Sequence, residues 1–137
     1  MSTEYREFKT LEELLRFVDS QIEELRRKLG DLLRLVEEAR IKAEQERKLK
    51  SVLAKVLGTS VEATMPVIEL KNIKLLINPT AENEITLLEQ LAEAINSKIM
   101  QLQAVRKDLE IFSDVDLVAP LRVVIIDGIP RGIIIRL

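Results

Sequence analysis

The sequence predicts an α+β fold: a long, coiled-coil-like helical hairpin with a small, mostly antiparallel β-sheet formed by a central segment and a C-terminal hairpin. Three observations carry this. Apolar residues recur three and four apart from about Leu11 to Leu57, the signature of one face of a helix. A second stretch, about 79–112, repeats that spacing. The segment "VVIIDGIPRGIIIRL" sets two apolar arms around an Asp-Gly turn. At 137 residues the whole chain, 1–137, reads as a single domain.

The first helix opens at "KTLEELLRF", where Thr10 and Glu13 form a capping box ahead of an apolar run. Leu15, Ile22, Leu29, Val36 and Ala43 fall at a, and Leu11, Val18, Leu25, Leu32 and Ala39 at d, a heptad seam. Gly30 sits at b, and the seam keeps phase across it, so one continuous helix is expected rather than two broken at "LGD". Glu12/Arg16, Glu23/Arg27, Glu24/Lys28, Glu38/Lys42, Glu44/Lys48 and Glu46/Lys50 place an acid four residues before a base, each pair contributing about 0.2–0.5 kcal/mol. Glu46 and Lys50 intrude on the seam before Gly58 stops the helix. Unbroken, this helix would be roughly 70 Å long.

The central segment, about 66–77, lies between two prolines and reads as a bent strand or short hairpin, with residues 67–70 and 73–77 as arms. Asn78 then serves as N-cap and Pro79 as first helical residue of the second helix. Its seam runs through Ala81, Ile85, Leu88, Ala92, Ile95, Ile99, Leu102 and Leu109, with Arg106 intruding. Small residues, Ala81 and Ala92 and also Ala94 and Ala104, would allow close helix packing. A β-hairpin over about 121–137 closes the chain.

Composition excludes several function classes. With no cysteine and no histidine there are no disulfides, no thiol nucleophile and none of the usual zinc ligands. Charged residues make up 32% of the chain, yet the net charge is −2, so no global field steers nucleic acid or an anionic membrane. No apolar run reaches the roughly 18 residues of a membrane span, and "MSTEYREFK" does not read as a secretory signal, so a cytoplasmic protein is expected. Abundant Lys, Glu and Ile match the balance of heat-adapted proteins.

No motif points to catalysis. "DGIPRG" lacks the following helix and the GKS or GKT of a phosphate loop, and is read as a hairpin turn. Asp114 and Asp116 are read as a polar linker rather than a cation site. Glu37 and Glu38 are adjacent on a helix and point apart, so they cannot flank one bond. The chain is therefore expected not to be an enzyme and to take no cofactor or metal.

The expected function is self-association as a scaffold or assembly protein. A shorter second helix would cover only the C-terminal part of the first, leaving Leu11, Leu15, Val18, Ile22, Leu25 and Leu29 overhanging for another copy. Each large aliphatic side chain buried there would contribute about 2 kcal/mol. The closing hairpin has no polar side, so Val124, Ile126 and Ile134 are expected to need a neighbouring chain as well. Two alternatives remain open. Arg40, Lys42, Arg47, Lys48, Lys50 and Lys55 form a basic helix face that an oligomer could present to nucleic acid, although Glu44 and Glu46 interrupt it. The chain could also be an obligate subunit of a hetero-complex. Its architecture is similar to that of prefoldin-type chaperones, helical hairpins with β-strands at one end, which implies client gripping; but a prefoldin subunit ends on its second helix, and no local motif matches.

Overall fold

The computed structural model describes residues 2–58, 67–76, 79–115 and 119–136, and its architecture is α+β. The elements in order are β1 (Glu4–Phe8), α1 (Leu11–Leu57), β2 (Val67–Glu69), β3 (Lys74–Leu76), α2 (Ala81–Leu109), a 3-10 turn (Glu110–Phe112), β4 (Leu121–Ile126) and β5 (Ile129–Ile135). α1 is unbroken through Gly30, which is exposed, and Gly58 ends it in the left-handed conformation at φ 66°. Two compact units emerge, residues 1–29 with 94–137, and residues 30–93.

In the first unit a three-stranded antiparallel sheet, ordered β1-β4-β5, packs on the first turns of α1 and the later turns of α2. Buried Leu121, Val123 and Ile125 of β4 meet Leu14, Val18, Ile22 and Leu25 of α1 and Ile99, Leu102 and Leu109 of α2. The strand β1 is not anticipated by the sequence reading, which treats residues 1–9 only as a non-signal N-terminus. β4 is the central strand, with β1 on one side and β5 on the other.

Asp127 and Gly128 both have positive φ, 55° and 80°, the type I′ turn whose twist matches a two-residue hairpin. One irregularity follows: Val124 faces Gly132 and Ile125 faces Pro130, so Arg131 is the extra residue of a bulge. Its guanidinium Nη2 donates to Gln101 Oε1 of α2 at 2.6 Å.

The expected overhang of residues 11–29 is corrected. Val18, Ile22 and Leu25 are buried inside the chain's own core, and Leu11, Leu15 and Leu29 pack against it. The reason is visible in the second unit. There the backbone N–H of Ala81, the first residue of α2, donates to Glu46 Oε2 at 3.3 Å, so α2 starts about three turns before the end of α1 and not beside Leu57. The uncovered turns of α1 are those near its C-terminus, where Leu49, Val52, Val56 and Leu57 are exposed.

Within that unit Arg47 pairs with Glu82 (3.0 Å) and Arg40 with Glu89 (3.2 Å), an antiparallel arrangement. Leu32, Val36, Ala39 and Ala43 of α1 and Ala81 of α2 are buried, so alanine is buried at Ala81, as expected, and at Ala39 and Ala43; Ala92 is half-buried, and Ala94 and Ala104 are exposed. β2 and β3 form a separate two-stranded antiparallel sheet, with Ile68 facing Leu75 and Glu69 facing Lys74.

Capping follows side-chain chemistry. Thr10 Oγ1 accepts from Glu13 N–H (3.2 Å), and Glu13 returns a carboxylate oxygen to Lys9 N–H (3.0 Å), one residue earlier than in the standard box. For α2 the cap is Thr80, whose Oγ1 accepts from Asn83 N–H (3.3 Å). Pro79 therefore precedes the helix instead of opening it, and Asn78 lies outside the described residues, as do Asp116 and the ends of the expected 66–77 segment. Of the expected pairs along α1, Glu12/Arg16, Glu24/Lys28 and Glu44/Lys48 come within 4.0 Å, whereas Glu46 turns to α2.

Candidate interaction surface

The strongest candidate site is the outer face of the three-stranded sheet. Along β4 burial alternates: Leu121, Val123 and Ile125 point to the helices, while Arg122, Val124 and Ile126 point away. Residues directly opposite one another share a face, so Tyr5 joins Val124, and Ile134 joins Arg122. Tyr5 is 54% exposed, Ile126 49% and Ile134 40%, with Val124 half-buried. Three of the residues expected to mediate association, Val124, Ile126 and Ile134, thus stand on one surface. Tyr5 completes it; from sequence it reads only as an apolar packing residue, because β1 itself goes unseen.

The other face is covered from within. The closing hairpin has one apolar side shielded by its own helices and one left open, which explains why both its arms lack alternation. At the rim of the inner face Arg6 stacks over the rings of Phe8 and Phe17, at 5.0 and 5.4 Å from their centroids. Those two rings are themselves in tilted contact at 5.5 Å.

The basic stretch of α1 is less basic in space than in sequence. Arg40 and Arg47 are engaged by Glu89 and Glu82, and Lys48 by Glu44. Lys42 and Lys55 are exposed and Lys50 is half-buried. An open groove of about 470 Å³ lies there, lined by Arg40, Ala43, Glu44, Arg47, Glu82 and Ile85, and its charges alternate in sign.

Electrostatics sharpen two points of the first unit. Asp127, at the hairpin turn, lies 2.9 Å from Lys98 Nζ of α2; that hydrogen bond, then the lysine's charge, holds its carboxyl below the ordinary carboxylate value. Arg106, hydrogen-bonded to Asp19 and Glu110, is held above the ordinary guanidinium value, chiefly by the Asp19 hydrogen bond. Among the described residues no group of three or more Asp and Glu side chains is placed to hold a metal ion. No described helix is long and apolar enough to cross a membrane.

Comparison with protein-family models, curated proteins and solved structures finds no match to the chain.

Proposed function

We propose that the chain is a non-catalytic assembly subunit that associates with copies of itself through the three-stranded sheet. One observation supports this above others: a face bearing Tyr5, Val124, Ile126 and Ile134 is open to water, while Leu121, Val123 and Ile125 on the reverse face of the same sheet are buried against the helices. A contiguous apolar patch between polar rims marks an interaction surface. Burying these side chains between copies would contribute about 25 cal/mol per Å² of apolar area removed from water. In this reading the chain works in the cytoplasm, without cofactor or metal, and the scaffold's copies are its partners.

The test is the mass of the purified chain by light scattering, together with Ile126→Lys and Ile134→Lys in one protein. The wild-type chain should be a monodisperse homo-oligomer. The double variant should keep its far-UV circular dichroism and lose mass. A wild-type chain that stays monomeric at high concentration contradicts the proposal.

A second reading, subunit of a hetero-complex or a chaperone that grips clients, draws on the second unit. Leu49, Val52, Val56 and Leu57 of α1 and Ile68, Leu70, Ile73 and Leu75 around β2 and β3 are exposed together in that unit. A lone two-stranded sheet is only marginally stable in water, so a partner there would stabilise it. Here the purified chain should be monomeric or aggregated, and Val56→Lys with Ile73→Lys should raise its solubility. The nucleic-acid alternative has less support, because carboxylates already occupy Arg40, Arg47 and Lys48.

A further inference from the structure

We infer that two copies join edge to edge through β1, antiparallel about a two-fold axis at Tyr5, with Glu4 of each chain facing Arg6 of the other. The inference rests on the self-association reading and adds the edge, the register and the pairs. The order β1-β4-β5 leaves two strand edges, each a row of backbone groups able to accept a further strand.

The edges differ in their chemistry. β5 carries Pro130, which has no N–H, and Arg131 is withdrawn in the bulge toward Gln101. β5 also carries no acid, so a copy of it laid alongside would gain no pair of opposite charges. β1, with the sequence EYREF, has no proline and carries both signs. The space beside it on the helix side is an open groove of about 510 Å³, lined among others by Arg6, Glu13, Arg16 and Phe17.

Symmetry then selects the register. In an isologous contact the same strand meets itself, and a two-fold axis perpendicular to the sheet keeps each residue on its own face. The axis must therefore pass through a residue position. Centred on Arg6, it would set Arg6 against Arg6. Centred on Tyr5, it sets Glu4 against Arg6 twice, one pair on each side of the axis, and Tyr5 against Tyr5. Glu4 and Arg6 already lie on one face, opposite Ile125 and Val123, and approach each other at 3.9 Å within the chain. The Tyr5 pair falls on the outer face, so edge pairing doubles the apolar surface that carries Val124, Ile126 and Ile134.

Two experiments on the full chain test this. The sequence has no cysteine, so Tyr5→Cys introduces the only thiol. Directly opposite residues of an antiparallel pair lie about 4.5–5.5 Å apart at Cα, within the range of a disulfide. Mild oxidation should convert the variant to a covalent dimer, whereas Glu7→Cys, which would face Thr3 of the other copy, should stay uncrosslinked. In the second experiment Glu4→Arg and Arg6→Glu are each expected to weaken association about tenfold. An equimolar mixture of the two should regain wild-type mass as a heterodimer, because opposite charges then meet only between chains. A mixture no more associated than either variant alone, or equal crosslinking of the two cysteine variants, overturns the inference. Loss of Tyr5→Cys crosslinking with wild-type oligomer mass also overturns it while leaving self-association standing; a monomeric wild-type chain overturns both.

Discussion

Arg106 of α2 reaches Asp19 of α1 with two nitrogens, Nε to Oδ1 and Nη2 to Oδ2, and gives Nη1 to Glu110 at 2.8 Å. A bidentate guanidinium–carboxylate contact fixes geometry as well as charge. Asp19→Asn should therefore lower the thermal midpoint, and a double-mutant cycle with Arg106→Gln should show favourable coupling. Both groups are partly exposed, so the coupling should shrink as sodium chloride rises toward about 1 M, where the Debye length is about 3 Å. Coupling that persists unchanged in high salt would mean packing, not charge, joins the pair.

Gly30 should be a site of easy stabilisation. It lies inside α1, is exposed, and a Cβ there would meet nothing within 4 Å. Gly30→Ala should add about 0.5–1 kcal/mol to the unfolding free energy in urea titration, because alanine loses less backbone entropy in a helix. A neutral or destabilising result would indicate a break in α1 at this point.

Leu102 and Leu14 are fully buried where the sheet meets the helices. Leu102→Ala should cost about 2–5 kcal/mol, through lost transfer energy and the cavity left behind. Leu91→Ala is the control, at 51% exposure on the same helix. It should stay within about 0.5 kcal/mol of wild type.

Asp127 predicts an acid dependence. Its folded carboxyl is held below the ordinary value by Lys98, so its contribution is complete above about pH 5 and is lost as the pH falls through that lowered value. Asp127→Asn keeps a residue that tolerates positive φ and removes the charge. The gap in thermal midpoint between wild type and variant should be present at pH 7 and close toward pH 2. A gap independent of pH would place the effect in the turn backbone.

Much of this fold was legible in local patterns, because helices declare themselves at short range. α1 begins at Leu11 and ends at Leu57 as its capping box, seam and Gly58 predict, and the β4–β5 hairpin follows its Asp-Gly turn. Leu14 escaped, since at its first turns α1 faces the sheet as well as α2 and the buried stripe widens beyond the seam. Glu46 and Arg106 read as intrusions in a seam; each reaches the facing helix, one to a backbone N–H at an N-terminus and the other to Asp19. Such pairings depend on the offset between helices, which periodicity alone does not contain. The same holds for β1, whose five residues lack alternation and take their strand form from β4, far along the chain. The outer surface was legible in part: Val124, Ile126 and Ile134 could be named from their apolar arms as association residues, though not placed on one face, and Tyr5 required β1.

The pairing of β1 with β4 also orders events in time. Thr3 Oγ1 accepts from the backbone of Asp127 across 124 positions of chain, so the sheet's middle strand gains its first-made neighbour only after nearly everything between has been synthesised. Until then residues 4–8 must wait beside a helix that can form at once, and loop closure of that size slows the final step. On the ribosome, the greasy side of α1 would spend that interval without its lid.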